Sequence, residues 1–79
     1  ISLFKVYPNP TQGLLNVTLP VNDKIVFLQI INYLGEIIYS CNNINGPHYV
    51  FDLSGFKSGI YFVRIKSDIS DTNLKVIKI

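Results

Sequence analysis

Few side chains in this chain are equipped for chemistry. His48 is the only histidine and Cys41 the only thiol among 79 residues. A tetrahedral zinc centre takes a set of several N and S ligands, which the chain cannot assemble from itself. A single cysteine also forms no internal disulfide. Cys41 reads as a small half-buried hydrophobe, and a reactive thiol there would need an electropositive neighbourhood. His48, next to Pro47, reads as a surface or strand-start residue. The acids Asp23, Glu36, Asp52, Asp68 and Asp71 mostly fall in turn-rich stretches. Carboxylates there bond nearby backbone or face solvent. Paired catalytic carboxylates would need a cleft, which so short a chain rarely encloses. Ser54 lacks the Gly-x-Ser-x-Gly setting of a nucleophile elbow. Asn16-Val17-Thr18 fits the glycosylation acceptor pattern but lies within a strand pattern, so it carries little weight. No catalytic, cofactor-binding or metal-ligating set emerges. The chain reads as a non-enzyme whose work is binding, spacing or addressing.

The elements that would position any site must be held by apolar burial alone. A chain of this length buries roughly 60–65% of its unfolded surface. The composition suits that need, with 48% hydrophobic and 15% charged residues. The net charge of +2 is too small to argue for nucleic acid. Basic residues do gather between Lys57 and Lys78, but Asp68 and Asp71 lie among them, and no phosphate-binding block forms. The longest apolar run, Ile25–Leu28, is too short to span a bilayer. Ile1–Tyr7 does not have the form of a secretory signal, since Lys5 sits inside its apolar stretch and Pro8 stops it. The absence of any methionine predicts a processed piece, a terminal module of a larger protein.

The hydrophobic pattern predicts seven short strands. Leu3–Tyr7 is the first. Pro8-Asn9-Pro10-Thr11-Gln12-Gly13 then forms a rigid turn or a crossing between sheets, because proline fixes φ and removes donors. Leu14–Leu19 follows, with Leu15, Val17 and Leu19 facing inward, and Pro20–Lys24 is a polar turn. Lys24–Tyr33 is the longest candidate and is apolar on both faces, with Val26, Leu28 and Ile30 on one and Ile25, Phe27 and Ile31 on the other, which predicts a central strand covered above and below. Its β-branched content argues against a helix. Asn32-Tyr33-Leu34-Gly35 is a tight turn into Glu36–Ser40. The turn-rich stretch 42–47 leads to His48–Leu53. A second cluster of turn residues, Asp52–Gly59, feeds Ile60–Ile65, with Tyr61, Val63 and Ile65 on one face. Ser67–Thr72 is a polar turn and Asn73–Ile79 the last strand. Most of Phe4, Tyr7, Phe27, Tyr33, Tyr49, Phe51, Phe56 and Tyr61 are expected inside. Seven strands spaced by regular turn signals predict an all-β, antiparallel, immunoglobulin-like β-sandwich without a disulfide.

Four stretches carry a resemblance. In order they are Val6-Tyr7-Pro8-Asn9-Pro10 with Gly13, Ile30 to Gly35, Asp52-Leu53-Ser54 with Gly59-Ile60-Tyr61, and the Lys-apolar-apolar-Lys-apolar ending. Together they resemble the type A C-terminal sorting domain of the type IX secretion system of Bacteroidetes. The resemblance covers essentially the whole chain, so residues 1–79 are expected to form one sorting domain at the end of a larger secreted protein. It implies an address and no activity. A cargo lies N-terminal in the same chain. The outer-membrane translocon reads the domain in the periplasm, a sortase-like peptidase commonly removes it, and the cargo is anchored at the cell surface or released.

Carried onto this sequence, Pro8, Asn9, Pro10, Gly13, Asn32, Leu34, Gly35, Asp52, Leu53, Ser54, Gly59 and Tyr61 are motif positions of mainly structural role. Lys75, Val76, Ile77, Lys78 and Ile79 are the expected recognition residues, with Lys75 and Lys78 presenting charge. The final strand is expected to offer a free edge for strand addition, and free edges also favour weak self-association. The connection Ser67–Asn73 lacks the usual glycine-containing turn. Because Leu74 and Val76 point one way and Ile77 and Ile79 the other, a bulge is expected. The alternative reading is a β-sandwich accessory module for carbohydrate binding or domain spacing.

Overall fold

The computed structural model describes residues 4–19, 24–42, 44 and 46–79. Leu3 at the start of the first expected strand, most of the Pro20–Lys24 turn including Asp23, and Asn43 and Asn45 lie outside them. Among the described residues seven strands form in chain order: β1 Lys5–Tyr7, β2 Leu14–Thr18, β3 Ile25–Asn32, β4 Ile37–Cys41, β5 His48–Asp52, β6 Gly59–Ser67 and β7 Asp71–Lys78. They build a three-stranded sheet, β1-β2-β5, and a four-stranded sheet, β4-β3-β6-β7, with every strand pair antiparallel. This is the expected sandwich of immunoglobulin-like architecture, and Cys41 is a free thiol.

Alternation in the sequence sets the two faces of each strand. Leu15 and Val17 from β2, Leu28 and Ile30 from β3, Val63 and Ile65 from β6, and Val76 from β7 are each 0% exposed. Leu53 joins them from the connection after β5. Burial on this scale supplies about 1.5–3 kcal/mol per large aliphatic side chain, against the entropy of ordering the chain.

Several expectations need correction. β6, and not β3, is the longest strand, nine residues against eight. β3 is central in its sheet, but it is not covered on both sides. Its outer face carries Phe27, Gln29 and Ile31, each only half-buried. A register shift between Ile25 and Phe27 turns Val26 out of the Leu28–Ile30 face, leaving it 47% exposed. The core is aliphatic. Of the eight aromatics expected inside, only Tyr61 is buried, while Tyr7, Tyr33 and Phe56 are exposed. The others lie at the margin, as in the tilted stack of Tyr39 on Phe51 with centroids 5.4 Å apart.

The expected bulge in the last strand does not occur. β7 pairs with β6 in unbroken register from Gly59↔Lys78 to Lys66↔Asp71. The polar turn needs no glycine because Ser67 organises it. Its Oγ accepts from the amides of Ile69 (3.2 Å) and Ser70 (2.9 Å), and Ser67 N–H donates to Ser70 O at 2.8 Å. A serine hydroxyl bonding backbone two and three residues on closes such a turn without positive φ.

Candidate functional site

The fold gathers the motif stretches at one end of the sandwich. Consecutive strands run in opposite directions, so alternate connections share an end. The first connection (β1–β2), the third (β3–β4), the fifth (β5–β6) and the end of β7 hold the motif residues. The registers agree: Tyr7 pairs Asn16 and Leu14 pairs Asp52 in one sheet, while Asn32 pairs Tyr61 and Gly59 pairs Lys78 in the other. The alternation of strand direction was already available from the number of strands, and it is the signal that would have revealed this convergence.

Pro8 to Thr11 leaves β1 and crosses to the second sheet, where it lies along the outer edge of β7. Asn9 Nδ2 donates to Lys75 O (2.9 Å), and Asn9 Oδ1 accepts from Ile77 N–H (3.0 Å). Thr11 N–H donates to Ile77 O (2.8 Å), and Thr11 O accepts from Ile79 N–H (2.9 Å). Thr11 and Lys78 form a parallel bridge. Four successive outward backbone groups of the tail, from Lys75 O to Ile79 N, are therefore occupied. Carboxamide and backbone together act as a short eighth strand. The final strand is an edge strand as expected, but its C-terminal half is not free: among the described residues Asn9 and Thr11 pair along it from Lys75 O to Ile79 N–H.

Thr11 escaped the sequence reading, where it passed for an ordinary turn residue. It is 1% exposed. Its Oγ1 donates to Leu14 O (2.6 Å) and accepts from Gly13 N–H (3.1 Å), which closes the turn back into β2. Gly13 sits where space is tight: a Cβ there would lie 3.1 Å from the Ser54 Cβ. Gly13 O accepts from Leu53 N–H at 2.9 Å, tying the first motif to the third. Asp52 Oδ1 accepts from Ser54 N–H at 2.9 Å. Hydrogen bonds from the Ser54 side chain and backbone hold the Asp52 carboxyl below the ordinary aspartate value. Tyr61 is 5% exposed and its hydroxyl donates to Lys57 O at 2.6 Å, fixing the loop that enters β6. At the hairpin, Gly35 takes φ +88, and Asn32 Oδ1 accepts from the amides of Leu34 and Glu36. A residue with a Cβ resists that backbone conformation.

The tail divides by face. Val76 is 0% exposed and Lys78 is 8% exposed, so both point into the sandwich. The expectation that Lys78 presents charge is thus corrected: unbroken register places every even-numbered tail residue inward. Lys75, Ile77 and Ile79 point outward. Beside them, the motif loops and Ile79 line an open groove of about 720 Å³, walled by Pro8, Pro10, Leu14, Asp52 and Ser54. Among the described residues no cluster of three or more His, Cys, Asp or Glu could hold a metal ion, and no helix is long and apolar enough to cross a membrane.

The fold is thus a small disulfide-free β-sandwich in which the first connection, through Asn9 and Thr11, holds the last strand in place. Residues 5–79 match the family described as secretion system C-terminal sorting domain, and the chain belongs to that family. Its members are C-terminal secretion signals of the type IX system, which direct export through the periplasm to the cell surface or the medium. The family is a sorting signal and not a catalytic domain. No curated protein matches the chain. The accessory-module alternative finds no support.

Proposed function

We propose that the type IX outer-membrane translocon recognises this domain in folded form through the end of the sandwich where the tail is held. Residues 1–79 act as one addressing unit without catalytic activity of their own. A cargo N-terminal in the same chain travels with it, and a sortase-like peptidase removes the domain after passage. Within the tail, Lys75, Ile77 and Ile79 offer side chains to a partner, whereas Val76 and Lys78 hold the strand to the core.

The observation that carries this reading is the convergence of the motif loops on the last strand, with Asn9 and Thr11 bonded along Lys75–Ile79. Motif positions that serve only local turns have no reason to meet the chain end. The test is a fusion of residues 1–79 to the C-terminus of a periplasmic reporter, expressed in a type IX-competent strain and in the same strain without its translocon. Export is expected only in the first. A reporter that stays in the periplasm, or leaves equally from both strains, refutes the reading.

A further inference from the structure

An antiparallel sheet usually turns a polar surface to solvent, and the outer face of the four-stranded sheet does so in the row Gln29, Arg64 and Asn73, but its tail end is apolar. Across β4, β3, β6 and β7 one row of residues reads Ile37, Ile31, Phe62 and Lys75, and the next row sets Ile60 opposite Ile77. Ile37 is 55%, Ile60 42% and Ile77 38% exposed, while Ile31 and Phe62 are half-buried. Apolar area of this kind with a polar border marks an interaction site. The border is cationic. Arg64, Lys66 and Lys75 face outward from β6 and β7, and Asp71 is the only carboxylate the β3–β6–β7 registers place among them. Asp71 is already engaged, bonded to Arg64 Nε at 3.0 Å and to Nη2 at 2.7 Å. The Arg64 guanidinium also lies over the Phe27 ring, 5.1 Å from its centroid. Lys75 has no carboxylate opposite it: its neighbour across β6 is Phe62.

The tail forms one border of this face. Its backbone edge is shut by Asn9 and Thr11 over Lys75–Ile79, so strand addition at those positions is closed while the domain is folded. What the tail still offers is the outward side chains Lys75 and Ile77, and both are continuous with Ile60 and Phe62.

We propose that this sheet face is the docking surface for the secretion partner, a protein surface with an apolar centre and an acidic border. The proposal rests on the translocon reading above and adds the partner's chemistry and residues outside the tail. Three cations against one committed carboxylate call for acidic groups opposite, since complementary charge steers encounter and rejects wrong partners. The aromatic rings of this face, Phe27 and Phe62, are half-buried. Recessed rings pack against a protein, whereas insertion into a lipid surface needs protruding apolar groups.

The experiment uses the translocon-dependent reporter fusion with two variants. One carries Ile60→Thr with Lys75→Glu; the control carries Val50→Thr, a similar polar change at an exposed site (54%) on the opposite sheet. Both replaced residues of the test variant are exposed, and the melting temperatures of the purified domains verify folding. Export by the face variant is expected to fall about tenfold while the control exports normally, the effect of placing like charge against a complementary surface. Normal export by a folded face variant, with the parent fusion still translocon-dependent, overturns the docking surface and leaves the translocon reading intact. If the face variant melts well below the parent, Lys75→Glu alone decides, by the same criterion. Vesicles containing an anionic lipid provide the other arm. Binding by the parent domain that Lys75→Glu abolishes would assign the face to lipid and overturn the protein partner.

Discussion

Asn9 does with a side chain what a neighbouring strand does with its backbone. Its carboxamide donates to the carbonyl of Lys75 and accepts from the amide of Ile77, two residues on, the pairing that an added strand would make. Asparagine alone among short side chains carries both functions at that reach. Asn9→Ala is expected to cost about 1 kcal/mol in urea unfolding and to speed hydrogen exchange at Ile77 N–H. Asn9→Asp is expected to cost more, because it loses the donor to Lys75 O and sets a negative oxygen against that carbonyl. The charged residues act more weakly. Hydrogen bonds from Arg64 hold the Asp71 carboxyl below the ordinary aspartate value of 3.8, against a smaller opposing effect of desolvation, and the charges of Arg64 and Lys66 add to the lowering. Asp52 is lowered by Ser54. A carboxyl with a depressed folded pKa stabilises above its unfolded pKa, and that contribution is lost as pH falls through the folded value. Carbon-detected NMR titration is therefore expected to place both midpoints below 3.8, with stability flat at neutral pH and declining only on acidification past that point.

At the level of elements, β7 has two separable duties. Its even-numbered residues build the core and its odd-numbered ones form surface. Val76→Ala removes buried methyl groups and is expected to cost about 2 kcal/mol, read from the midpoint of chemical unfolding. Removing Leu74–Ile79 takes away the inward Val76 and Lys78 together with the partner of the Asn9 clip, so it unfolds the domain. Loss of export on truncation therefore reports folding as well as recognition, and only outward substitutions separate the two. β6 is the organising element between them. It lies between β3 and β7, carries Tyr61, Val63 and Ile65 inward, and begins at Gly59 opposite Lys78. The stretch Asp52–Ile65 thus sets where the tail ends through its inward residues, while its outward Ile60, Phe62 and Arg64 belong to the proposed docking face.

For the whole molecule, the alternation of strand direction has a functional consequence. All motif loops share one end with the tail, while the last residues of β2, β4 and β6 (Thr18, Cys41 and Ser67) lie at the other. Cargo fused upstream enters through β1, whose first residues lie at the far end. In that arrangement the cargo and the recognition end are separated by the length of a strand. The same fusion that tests export therefore also predicts tolerance: insertions in the 42–47 connection are expected to leave export unchanged, and insertions in 53–58 to abolish it, measured as secreted reporter.

The strands, the inward faces of β2 and β6, the sandwich and the family were legible in the residues alone. Periodicity of two, turn residues at regular spacing and motif order are local features, and each can be read one segment at a time. Local pattern failed on Val26, Lys78 and the aromatics. Val26 depends on a bulge, Lys78 on the pairing register, and the aromatics on how much space an aliphatic core leaves, and all three are properties of pairs of segments. The Asn9 clip is the extreme case, since it joins residues 66 and 68 positions apart. Nothing in Pro8-Asn9-Pro10 alone says what its carboxamide will meet. The closure of the tail's edge, the outward set of tail residues and the sheet face that continues them all follow from contacts between segments far apart in the chain, which no local pattern encodes.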